Sequence, residues 1–161
     1  MRLSDANLDD YLLGVANLLE RYGVALDGAG QELEIDSATT GARTFDLRGF
    51  LPDGRQPPRA IVELRETWIP DGSGALERVE YVYELLDHER DFRQAHHLHD
   101  RDVFVRRFSV VVHEHCERPI GRVECAHYEG SPIRDAFAGV VALVDAWVAD
   151  PPECSDLRCL E

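Results

Sequence analysis

The chain contains no lysine, and all seventeen of its positive side chains are arginine. It has one methionine and two tryptophans in 161 residues, and aromatic residues make up only 8%. No apolar run approaches the roughly 20 residues needed to span a membrane as a helix. The first residues, Met1 to Asp5, turn acidic at once and lack a continuous apolar stretch, which argues against a secretory signal and for a cytoplasmic location. Nucleotide-binding glycine loops and the G-x-S-x-G elbow of α/β-hydrolases are also missing, which removes those readings. Only four cysteines occur, Cys116, Cys125, Cys154 and Cys159. A domain of this length needs no disulfide staple, so thiols or metal ligands are the expected states.

What is present begins with acid. Thirty-one acidic against seventeen basic residues give a net charge of −14, which opposes nucleic-acid binding in general. The remaining partner class is a protein or a second copy of the chain. The charge is unevenly spread. Residues 88–128 hold seven arginines, seven acids and all seven histidines, so the least acidic stretch is the one with titratable side chains. Apolar residues reach 44%, ordinary for one globular domain, here assigned to residues 1–150 with an irregular tail over 151–161.

Periodicity sets the fold class. Leu8, Tyr11, Leu12, Val15, Leu18, Leu19 and Tyr22 recur at helical spacing, so residues 5–22 form an amphipathic helix, capped by Ser4 or Asp5 and closed by Gly23. This stripe reads as core rather than as a partner-binding face. A short strand is expected at Glu32–Asp36 and another over Thr44–Phe50. Ala60–Trp68 and Glu77–Leu86 then alternate as strands around the turn Pro70–Gly74, with Val79, Tyr81, Tyr83 and Leu85 on one face. Further strands are expected over Asp91–His99, Val103–Cys116 and Arg122–Tyr128. Ser131-Pro132 opens a second helix, stopped by Pro151-Pro152. Strands in succession without intervening helices predict an α+β domain: an antiparallel sheet of five to seven strands with the two helices on one face.

The chemistry lies in two His-x-His segments. On a strand, His113 and His115 share a face, as do Cys125 and His127. A three-residue loop, Pro119-Ile120-Gly121, would place His113 opposite His127 and His115 opposite Cys125. Three imidazoles and a thiolate on one face form a tetrahedral zinc set: His113, His115, Cys125 and His127. In the other segment, His97 and His99 share a face. They could add ligands, or serve as general acid and base on a phosphodiester with Arg106 or Arg107 holding the anion, giving His97, His99 and Arg107 as catalytic candidates. Cys154 and Cys159, spaced C-x4-C, give no second ligand pair. A domain whose histidines are incidental, built for protein–protein contact, is the remaining alternative.

Residues 62–146 also resemble the TumE-type toxins of bacterial toxin–antitoxin pairs. The strand Val79–Tyr83 followed by Asp87, the segment Phe92–His99 and the His113–His115 strand leading to Gly121 and a final helix carry the resemblance. It implies a small antiparallel sheet with a helix, acting on cellular RNA or translation through His97, His99, His113 and Arg107. The extra N-terminal helix and strand, the acidic charge and the cysteines depart from that pattern.

Overall fold

The computed structural model describes residues 2–27, 32–36, 41–52, 59–99, 107, 109–122, 127–149 and 154. The order is β1 (Arg2–Leu3), α1 (Asp5–Arg21), β2 (Ala25–Leu26), β3 (Glu32–Asp36), β4 (Ala42–Leu51), β5 (Ala60–Pro70), β6 (Leu76–Asp87), β7 (Phe92–Leu98), β8 (Val112–Glu117), β9 (His127–Glu129) and α2 (Ala136–Val148). The main path through the sheet is β2-β4-β5-β6-β7-β8-β9, seven strands, with β1 added to β6 and β3 to β4. Every described pairing is antiparallel. The expected α+β architecture is therefore the observed one. No helix among the described residues is long and apolar enough to cross a membrane.

Alternation explains the sheet. Ala60, Val62, Leu64 and Trp68 of β5 and Tyr81, Tyr83 and Leu85 of β6 are buried on one face. Both helices cover that face. A side chain on Gly139 of α2 would collide with the ring of Tyr83, so glycine is what allows the helix to lie this close. Tyr11 of α1 packs edge-on against Phe45, Trp68 and Phe137, joining sheet and helices in one core.

A bulge between Thr67 and Trp68 changes what reaches the core. Thr67 pairs with Glu80 but Trp68 pairs with Arg78, leaving Val79 as the extra residue. Val79 is 37% exposed rather than buried beside Tyr81, and Arg78 takes the helix-side position. There Arg78 meets Glu66, a fully buried carboxylate, at 2.8 Å. Glu66 also accepts from Tyr11 (3.1 Å), Trp68 Nε1 (3.0 Å) and Tyr83. Burial raises the pKa of both tyrosines, with Glu66 beside them adding to it, so they stay protonated and donate.

Three sequence expectations need correction. The second helix begins at Asp135, whose side chain accepts from Ala138 N at 2.9 Å, and not at Ser131. Residues ahead of it are held to the sheet instead, because Arg78 donates to the carbonyls of Ile133 and Arg134 and Ile133 N donates to Tyr81. Of the strand expected over Val103–Cys116, the described residues form strand only from Val112, in β8 (Val112–Glu117), and Ser109 has a positive φ of 57° that breaks extended backbone; residues 101–106 and 108 lie outside the described residues. Finally, Cys116 and Cys154 are not thiols but a disulfide, their Cα atoms 5.4 Å apart, so the only described part of the tail is tied to β8. Folding brings together residues 38 apart in sequence, a proximity that spacing alone does not reveal. Chain-entropy arguments give such a link about 4 kcal/mol of stability. Denaturant midpoints measured with and without reductant should differ accordingly, and Cys116→Ser with Cys154→Ser should reproduce the reduced value without reductant.

Candidate metal centre

β7 and β8 each present alternate residues to opposite faces. Their register sets His97 opposite His113, Ala95 opposite His115 and His96 opposite Glu114. His96 therefore faces the helix side, where its Nδ1 lies 3.5 Å from Glu114. His97, His113 and His115 converge on the other face, the one the helices leave. All three are buried, at 7%, 1% and 4% exposure. Their ligand atoms lie within 4.8 Å of one another. Ring centroids are 4.5 Å apart for His97–His115, 5.0 Å for His97–His113 and 5.1 Å for His113–His115. His99 adjoins the group, 4.9 Å from His97 and 5.3 Å from His113.

The electrostatics favour an uncharged His97 ring. Burial pushes the His97 pKa well below the usual imidazole range, and the neighbouring His115, His113 and His99 add to the effect. Neutral imidazole is the form that ligates a metal. His97 Nδ1 lies 3.1 Å from His115 Nε2. The other nitrogen, His97 Nε2, is buried without a hydrogen-bond partner among the described residues, and such an atom in a native interior calls for an explanation. Next along the same face, Arg93 binds both Glu84 (3.0 Å) and Glu117, fixing the far side of the cluster with paired charges.

The depressed pKa has a measurable sign. Below pH 6.5 the unfolded chain protonates His97 and the folded metal-free chain does not. Its stabilising contribution is thus complete above that pH and falls as the pH drops, by up to about 1.4 kcal/mol per unit. Burial lowers the His96 pKa in the same direction. Urea midpoints at pH 7 and pH 5.5 should show this loss in metal-free protein, and His97→Gln should reduce the difference.

The sequence-derived ligand set is rearranged. The β8–β9 register pairs His115 with His127 and His113 with Glu129, two residues away from the expected pairing of His113 with His127 and His115 with Cys125. The connection is longer than three residues, although Gly121 does take the expected left-handed φ of 81°. The shift is even, so the His127 backbone keeps the same face and sits opposite His115. Cys125 lies outside the described residues. His113 and His115 are joined by His97, which the acid–base reading had kept apart with His99. Arg107 is exposed. The signal for His97 was the second His-x-His segment itself. What hid its partnership was a β7–β8 connection of unreadable length.

Compared with family models, curated proteins and solved structures, the chain matches none of them.

Proposed function

We propose that this protein binds a transition metal, zinc by ligand type, through His97, His113 and His115, and that the metal serves hydrolytic chemistry. The convergence of three buried imidazoles within 4.8 Å carries the reading. Two nitrogens on one zinc at 2.0–2.1 Å lie about 3.4 Å apart, so modest ring rotations close the set. A three-histidine set leaves one position for water, the arrangement found in catalytic rather than structural zinc sites. His127 and Cys125 are the candidates to fill that position and make the site structural instead. Elemental analysis of untagged protein purified without chelator tests this. About one equivalent of zinc per chain supports the site, and less than about a tenth overturns it.

The resemblance to TumE-type toxins supplies a second reading, action on RNA. One observation favours it: His97 and His113, which the resemblance singles out, are cross-strand neighbours with ring centroids 5.0 Å apart. Growth arrest on expression, abolished by His97→Ala and His113→Ala whether or not metal is bound, would distinguish it from the metal reading.

A further inference from the structure

The row of imidazoles on β7 continues past His97. The His99 N–H donates to the Val111 carbonyl at 3.0 Å, which carries the β7–β8 ladder one residue beyond the Leu98–Val112 pair. The backbone therefore holds His99 two residues along from His97, on the same face. What sets His99 apart is its surroundings. His97, His113 and His115 are buried, whereas His99 is only partly so. It lines two adjoining clefts. One, of about 170 Å³, has Thr67 and Val82 in its wall, and the other, of about 400 Å³, has Leu98 and Val111. Neither of these clefts is lined by His97, His113 or His115. The His99 ring thus stands between the buried cluster and open space.

We propose that His99 is a fourth, exchangeable metal ligand, which closes the position left by the triad and turns out into the clefts to admit a small donor molecule. The inference rests on the metal reading and adds to it how access to the metal is controlled. Ring spacing selects His99. Imidazoles bound to one zinc at about 2.0–2.1 Å hold their ring centres about 3.2 Å from the metal, and so about 5.2 Å from one another in a tetrahedron. Within the triad the ring centres are 4.5 to 5.1 Å apart, and His99 stands 4.9 Å from His97 and 5.3 Å from His113, in the same range. Mobility selects it too. The group whose ligand atoms lie within 4.8 Å of one another holds the other three, so ligation requires the His99 ring to turn about its side-chain bonds. Turning back opens the position on the cleft side, while the three buried rings stay in place. An imidazole has two nitrogens, so one can bind the metal while the other keeps its own contact.

X-ray absorption of the zinc-loaded protein tests it by counting imidazoles on the metal. Four are expected in the wild type and in His127→Ala, and three with one oxygen in His99→Ala and His99→Gln. Zinc should bind about tenfold more weakly to His99→Ala, against more than about 100-fold for loss of a triad member. Free imidazole, titrated into the cobalt-loaded protein and followed by its visible spectrum, should bind His99→Ala at least about tenfold more tightly than the wild type, because it no longer has to displace a resident ring. Three imidazoles and an oxygen in the wild type, unchanged in His99→Ala, overturn the proposal and leave the metal reading standing. So does a sulfur neighbour at about 2.3 Å, which would assign the fourth position to a cysteine, or a fourth imidazole lost in His127→Ala but not in His99→Ala. A wild type that takes up neither zinc nor cobalt overturns this proposal and the metal reading together.

Discussion

Replacing His115 with alanine is expected to take bound zinc from about one equivalent per chain to below a tenth, measured on protein purified in parallel with the wild type. Loss of an outer-shell partner already weakens metal sites by 10–100-fold, so loss of one of three imidazoles should exceed about 100-fold. His113→Ala and His97→Ala should behave alike, since the three are equivalent in burial and spacing. The informative control is His96→Ala. His96 adjoins His97 in sequence but lies on the helix side beside Glu114, so its loss should leave the zinc in place. Were His96→Ala to release zinc as readily as His97→Ala, the assignment of faces would fail. At a free zinc concentration 100 times its dissociation constant, the wild type should also gain about 2.7 kcal/mol of stability that the His115 variant lacks.

Glu66→Leu is expected to destabilise the fold by about 3–5 kcal/mol, read from denaturant unfolding. Burial pushes the Glu66 pKa up, while donors from Tyr83, Arg78 and Tyr11 stabilise the ionised form against it. Removing the carboxylate strands the Arg78 guanidinium, whose side chain is only 5% exposed, and leaves the hydroxyls of Tyr11 and Tyr83 without their acceptor. Tyr11→Phe should cost less, about 1–3 kcal/mol, although its hydroxyl also accepts from Ala136 N at 2.8 Å where α2 begins. The double variant Glu66→Leu with Arg78→Met removes both charges and should recover part of the loss. Recovery of nothing would mean that the carbonyl bonds of Arg78 to Ile133 and Arg134, rather than its pairing with Glu66, carry the energy.

Legibility in the sequence followed the physics of each signal. The helix over residues 5–22 and the β5–β6 hairpin were readable, because their apolar periods are long and their turns are rich in glycine and proline. Glu66 and Arg78 were not. Alternation puts Glu66 on the core face, but a lone carboxylate there has no local signature, and only the bulge turns Arg78 inward to meet it. The start of α2 was misplaced because Ser131-Pro132 is a good opening signal locally, whereas tertiary hydrogen bonds from Arg78 and Tyr81 hold those residues extended. Two of the three members of the site, His113 and His115, were visible as same-face histidines on a strand. The third member depended on how β7 and β8 align. The sequence suggested a strand already from Val103, whereas β8 is observed over Val112–Glu117, so the register with β7 could not be read from it.

The pleat of β8 has a consequence for how this protein could change over generations. Its inward residues, Glu114 and Cys116, and its outward residues, His113 and His115, occupy alternate positions of a six-residue strand. Either set could be exchanged by substitution without disturbing the other. A single inserted residue after Val112 would be another matter, since it turns the inward set outward and the outward set inward. Disulfide and imidazole cluster would then be lost together with every one of their residues still present. Lineages carrying this domain should therefore tolerate exchanges in this strand far more readily than changes in its length.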